Sequence, residues 1–267
     1  MNINYYWINI DKSEDRRIFM ETQFKINKIN NTRISAITPE DFDEVLEDKM
    51  PYYCGNIECV NKNHCKYEYA CICSHLNAMK EALKSNDDYF VIVEDDIYLP
   101  FKIDYEKIIK NIPKDFEIFQ MMVLYANTTE QLYNHFYSSN IDYIKYVPIV
   151  PSTGHYLITR KGAEKLLDLC TNKKTGKYDF REITIIKVAD ILLYVNAITY
   201  VSSFPFSFPY KLFKSEIHPD HVDEHTKAIN TIIEKINKDK MKNIYITDYY
   251  PCEDFEKLSR LYESLKK

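Results

Sequence analysis

Glu94-Asp95-Asp96 ends the apolar run Tyr89-Phe-Val-Ile-Val93, and these adjacent carboxylates are the part of the sequence best equipped for chemistry. Like charges crowded together are unfavourable unless a cation or water compensates them. Alternate residues on an extended backbone point the same way, so Glu94 and Asp96 are expected to face one ion while Asp95 faces elsewhere. Hard oxygen donors suit Mn²⁺ or Mg²⁺. Such an ion bridges a diphosphate and stabilises the charge that grows as a nucleotide leaves. A solvated acidic turn is the other reading of three neighbouring acids. Metal-dependent phosphoryl transfer would also use acids at a strand end. The chain has only four glycines, however, and no Gly-rich loop to cradle phosphates.

A second group with ligand chemistry is Cys54, Cys59, His64 and Cys65. These residues suit a small zinc site or a disulfide-stapled loop, but no pair among them has the two-residue gap of a common zinc knuckle. Reduced cysteines in a surface insertion near residues 50–67 are the plainer reading.

Positioning the acids requires a strand buried on both faces, since Tyr89–Val93 is apolar throughout, as expected inside a mostly parallel sheet. Open α/β sheets place ligands at the carboxyl ends of such strands. Further strands are expected at Tyr5–Ile10, Arg33–Ile37, Glu117–Leu124, Ile144–Val150, the end of Ser152–Thr159 and Thr199–Ser203. Helices are expected after Asp11, over Glu68–Lys84, over Tyr105–Ile112 and over Lys161–Cys170. A polar, Tyr-rich connection precedes Ile144. Alternating strands and helices indicate an open α/β fold. We expect a core over residues 1–219 and a small C-terminal helical extension over 220–267, with a strand-like Asn243–Thr247 inside it.

The 267 residues, 45% of them hydrophobic, suffice for one such core. A net charge of −5 gives no reason to expect nucleic-acid binding. No signal peptide is recognisable, and no apolar run approaches the roughly 18–20 residues of a membrane span. A cytoplasmic location is expected. The abundance of Ile, Asn, Lys and Tyr is that of an AT-rich genome, which adds the virion or host cytoplasm of a virus as a location.

Several ordered blocks resemble glycosyltransferase family 25, which includes lipooligosaccharide and procollagen galactosyltransferases. Trp7-Ile-Asn-Ile-Asp-Lys-Ser-Glu-Asp-Arg16 is similar to the family's opening strand and helix, and Arg33–Ala36 to its second-strand motif. Glu68-Tyr-Ala-Cys-Ile-Cys-Ser-His75 resembles its Glu-x-x-Cys-x-x-Ser-His helix start. Val91–Ile97 is similar to its acidic strand end, Ser152–Leu167 to its Tyr-Leu-Ile/Gly-Ala block, and Val188-Ala-Asp190 to its Val-Asp motif with Ala189 inserted. Together the blocks span roughly residues 5–195.

The resemblance implies a GT-A type fold, a UDP-sugar donor (often UDP-galactose), a divalent metal and transfer with inversion to a hydroxyl of a glycan, lipooligosaccharide or protein hydroxylysine. Inversion by direct displacement needs a base on the acceptor hydroxyl. Asp190 is the candidate, with a helix-start or turn acid as its plain alternative. Asn9, Arg16, Asp95 and His75 are candidates for the donor side, although Arg16 could decorate a helix face and His75 sit in the core. His155 is a candidate for acceptor binding, Glu94 and Asp96 for the metal, and His218 or His221 for completing the metal site. The competing expectation is a catalytically inactive relative that binds a glycan or a partner, against which the intact acidic triplet argues.

Overall fold

A computed structural model of the protein describes residues 1–47, 65–210, 213, 230, 232, 235 and 245–249. In chain order its strands are β1 (Tyr5–Asn9), β2 (Asn31–Ser35), β3 (Tyr89–Glu94), β4 (Ile97–Tyr98), β5 (Phe101–Ile103), β6 (Ile118–Gln120), β7 (Tyr143–Lys145), β8 (His155–Thr159), β9 (Thr199–Ser202), β10 (Phe208–Pro209) and β11 (Ile246–Tyr249). Its helices are α1 (Glu14–Asn27), α2 (Phe42–Val45), α3 (Cys65–Ala82), α4 (Tyr105–Asn111), α5 (Ala126–Ser139), α6 (Arg160–Cys170) and α7 (Ala189–Val195).

Seven strands form one sheet in the order β2-β1-β3-β8-β6-β9-β7. β1 runs parallel to β2 and β3, and β6 parallel to β9, whereas β8 opposes β3 and β6, and β7 opposes β9. Most strands therefore share one direction, with β7 and β8 reversed. Side chains alternate between the faces. Tyr6, Ile8, Phe90, Ile92, Tyr156 and Ile158 pack on one face beneath α3, α6 and α7. Trp7, Val91, Val93 and Leu157 pack on the other, with Phe19, Met20 and Phe24 of α1 and Ile108 of α4. This is the expected open α/β sheet flanked by helices. β3 lies third in the sheet, and Phe90 to Val93 are completely buried. Each such aliphatic or aromatic side chain contributes about 1.5–3 kcal/mol by leaving water.

Local chemistry explains several element ends. Asp104 accepts the Lys107 amide at 3.2 Å to cap α4, and Thr159 accepts the Gly162 amide at 3.0 Å to cap α6. α5 ends on Asn140 in the left-handed conformation, which Asn tolerates better than most residues.

Two of the differences from the sequence reading have a plain local cause. The Tyr-rich connection contains α5, because Thr129, Leu132 and Tyr133 bury one helical face and Phe136 extends it. Its apolar stripe is built from aromatic and hydroxyl side chains, which read as polar. The strand expected over Ile144–Val150 is confined to β7. Pro148 has no amide for a ladder, and the amides of Ile149 and Val150 turn back to the Val147 carbonyl at 2.7 and 3.1 Å.

Cys65 lies buried in the first turn of α3, whereas Cys54, Cys59 and His64 lie outside the described residues. So do His218, His221 and most of the C-terminal segment. Of that segment, β11 pairs antiparallel with β5. Tyr245 donates its hydroxyl to Asp142 at 2.7 Å, and Lys235 donates to Glu130 at 2.7 Å. No helix among the described residues is long and apolar enough to cross a membrane.

Candidate active site

The acids sit where β3 leaves the sheet, and each meets different partners. Asp95, 6% exposed, accepts Asn9 Nδ2 at 2.7 Å and Arg16 Nη1 at 2.8 Å. Arg16 Nη1 also lies 3.5 Å from Asp96 Oδ2, so one guanidinium links two of the three acids. Asn9, completely buried at the end of β1, is held from its other side by Arg33 Nε, 2.9 Å from Asn9 Oδ1. Arg33 in turn reaches Asp11 at 2.5 Å. The opening strand and its helix are thereby wired to the acidic triplet. Arg16 also lies over the Phe213 ring, 5.3 Å from its centre.

Glu94 points towards α3 and β8. Its Oε1 accepts Thr153 Oγ1 at 2.7 Å and lies 3.3 Å from His75 Nε2. The other ring nitrogen of His75 lies 3.1 Å from the Tyr156 hydroxyl. Burial pushes the Glu94 carboxyl up, but the bonds and charge from His75 and the Thr153 hydroxyl outweigh it and hold the group below its usual range. Asp96 behaves oppositely. Burial raises it to about 7, with Glu94 and Asp95 adding to the effect against the pull of Arg16. A carboxylate that resists ionisation among other acids is one that a divalent cation would satisfy. Glu94 and Asp96 thus meet different partners: Glu94 meets His75 and Thr153, whereas Asp96 shares Arg16 with Asp95 rather than facing the same way as Glu94.

Asp190 lies in the first turn of α7, a helix the sequence reading did not include, so its alternative as a helix-start acid describes its backbone position. Its side chain does more. Oδ2 accepts the Ser152 amide at 3.2 Å, and Oδ1 is buried with no hydrogen-bond partner among the described residues. Burial raises its pKa, and the charges of Glu68 and Glu94 raise it further, against the Ser152 and Ile191 amides.

Ser152 and Thr153 thus hold the two acids in one small region: the first binds Asp190, the second Glu94. That segment is strained, since Ser152 has φ 114°. A non-glycine residue there costs on the order of 1–3 kcal/mol, a cost met when surroundings over-determine the conformation. They do so here. The Ser152 carbonyl accepts the Tyr194 hydroxyl at 2.8 Å and Gln120 Nε2 at 3.0 Å. A Cβ on Gly154 would crowd Met122 Cε and lie 2.8 Å from Ile97 Cδ1, the ends of two side chains that would have to shift.

The structure brings Asn9, Arg16, His75, Glu94, Asp95, Asp96 and Asp190 to this end of the sheet. It does not bring His155 there. His155 is fully buried on the opposite face, bonded through Nδ1 to Ser207 at 2.8 Å and beside the Tyr5 ring. Burial lowers its pKa to about 3. Cys71, Thr153 and Tyr156 belong to the site but were not singled out from sequence. The four-residue spacing of Cys71 and His75 on a helix was the available signal. Thr153 and Tyr156 lacked one.

Among solved structures, the chain is similar to a glycosyltransferase involved in the glycosylation of the major capsid of PBCV-1, with 9% identity and a TM-score of 0.35 over 84% of this chain and 99% of that one. No curated protein matches. The model of "Glycosyltransferase family 25 (LPS biosynthesis protein)" matches residues 2–181, which include β1, α3, the acidic triplet and the Ser152–Thr153 segment, with Asp190 just beyond. Because that match covers two thirds of the chain and nearly all of the assembled site, the protein belongs to glycosyltransferase family 25.

Proposed function

We propose that the protein transfers a hexose, with galactose as the first candidate, from a UDP-sugar to a hydroxyl of a glycan, a lipooligosaccharide or a protein hydroxylysine, with inversion. The observation that carries this reading is the Ser152–Thr153 segment, which holds Glu94 and Asp190 beside each other at the end of β3. A displacement needs a base on one side of the sugar carbon and charge stabilisation at the leaving group on the other. Asp190 is the base. Its buried Oδ1 has no hydrogen-bond partner among the described residues and so keeps a lone pair to answer a hydroxyl proton, and its raised pKa gives the carboxylate more affinity for that proton. Asn9, Arg16, Asp95 and His75 line the donor side. Arg16 supplies the positive charge there, and Asn9 fixes Asp95 so that the guanidinium keeps its direction.

Glu94 and Asp96 would hold Mn²⁺ or Mg²⁺, which when bound neutralises the diphosphate and stabilises the departing nucleotide. His155 is left out because its ring packs on the other face of the sheet.

The test is UDP release from a panel of UDP-sugars in Mn²⁺ and then in EDTA, using wild type, Asp96→Ala and Asp190→Asn. One donor should turn over only with metal, and both variants should lose that turnover. If no donor turns over and none raises the melting temperature in Mn²⁺, the catalytic reading fails.

A further inference from the structure

A different donor set lies beside the acids. Cys71 and His75 are four residues apart on α3, so the helix stacks them on one face. That face meets Glu94, and a ligand atom from each of Cys71, His75 and Glu94 lies within 4.8 Å of the other two. Paired carboxylates suit a hard ion, whereas thiol, imidazole and a single carboxylate suit a thiophilic ion such as Zn²⁺.

The groups behind these donors support ligation. His75 is 1% exposed, with Nε2 towards Glu94 and Nδ1 against the Tyr156 hydroxyl. With its proton on Nδ1, the ring donates to Tyr156 and turns the Nε2 lone pair into the cluster, the arrangement commonly found behind a metal-bound histidine. Thr153 donates to Glu94 at 2.7 Å and so orients that donor. Cys71 and Glu94 are half-buried, which leaves the cluster open to solvent on one side.

We propose that Cys71, His75 and Glu94 form a site for a thiophilic divalent ion of the Zn²⁺ class, with a fourth position open. On binding, the Cys71 thiol becomes a thiolate and its proton passes to solvent, so thiolate and carboxylate together balance the ion's charge. Glu94 belongs to both donor sets. Zn²⁺ at this site therefore withdraws it from the hard ion and inhibits transfer. That consequence rests on the proposed role of Glu94 and Asp96, whereas the binding does not.

The experiment is titration of the metal-free full chain with Co²⁺ under a phosphine reductant, read by absorption. One equivalent should produce a thiolate-to-cobalt charge-transfer band and tetrahedral visible bands, both discharged by Zn²⁺. The bands should vanish in Cys71→Ser and His75→Ala and survive in Asp96→Asn. Bands that persist in Cys71→Ser would assign the ion to other cysteines and overturn the site, as would a wild type without bands. Should the variants unfold, the wild type still decides: Zn²⁺ must protect Cys71 from iodoacetamide, mapped by mass spectrometry, and absence of protection overturns the proposal. If the bands follow Cys71 but Zn²⁺ does not compete with Mn²⁺ in UDP release, the zinc site stands and the hard-ion role of Glu94 falls.

Discussion

Glu117 and Asp190 are carboxylates set into the same interior, yet their surroundings differ in kind. Glu117, its side chain 3% exposed, receives Lys165 at 2.8 Å and the Ile198 amide at 2.9 Å, with Lys161 at 3.4 Å. Burial alone would raise its pKa, but these partners hold it below the usual range. Asp190 has backbone amides alone, an oxygen with no hydrogen-bond partner and no ion pair with Lys or Arg among the described residues, and its pKa is raised. The fully answered carboxylate ties α6 to the sheet. The partly answered one keeps a buried acceptor without a partner among the described residues, in keeping with the base role proposed for it.

Exchanging each acid for its amide should separate the two roles. Asp190→Asn is expected to lower sugar transfer by about 10²–10⁴-fold, the usual contribution of a general base. Its melting temperature should hold or rise, because a buried charge lacking a cation becomes neutral. A variant with wild-type turnover would remove Asp190 from the chemistry.

Arg16→Ala lies between the extremes, since it strips the cation from a buried acid at the site. It should destabilise by about 3–5 kcal/mol in denaturant unfolding, the cost of leaving one partner of a buried pair uncompensated. A loss below about 1 kcal/mol would rank Arg16–Asp95 with surface pairs and weaken the wiring of β1 to the acids.

Glu117→Gln should cost about 1–3 kcal/mol of stability, because it removes charge-assisted bonds from a buried group. Turnover per folded molecule should not change. Lost turnover at full stability would erase the distinction between the two acids.

The smallest effect concerns pH. Asp96 and Asp190 have folded pKa values above their unfolded ones, so their contribution to stability is complete below the unfolded value. It is lost as pH rises through the folded value, about 7 for Asp96. Glu117 contributes in the opposite sense: its stabilisation is present above its unfolded pKa and disappears as pH falls through the depressed folded one. The metal-free protein should therefore lose stability between about pH 4 and 7, and Asp96→Asn should flatten that decline. Melting curves at several pH values, in EDTA, would check both the sign and the variant.

Much of the frame was legible in the sequence. Tyr89–Val93 announced β3 because a strand buried on both faces has little choice but to be apolar throughout. The acids after it could be placed at a strand end for the same reason. α5 was not legible, because tyrosines form part of its buried face and a hydropathy pattern counts them as half polar. α7 begins after Val188 with no side-chain cap, so nothing local marked its start, and Asp190 was left without an element to place it.

What the sequence by itself determined was local: where strands and helices could form, that three acids close an apolar, buried strand, and that Cys71 and His75 share one side of a helix. Alternation and helical spacing are short-range geometry, written residue by residue. Only the tertiary structure decided which of these groups meet. It turned His75 towards Glu94 and His155 into the opposite core, although both are histidines in comparable motifs. It also brought Asp190 to Ser152 across 38 residues. Such meetings depend on strand order and on which face of the sheet each helix covers, and those follow from packing the whole chain at once.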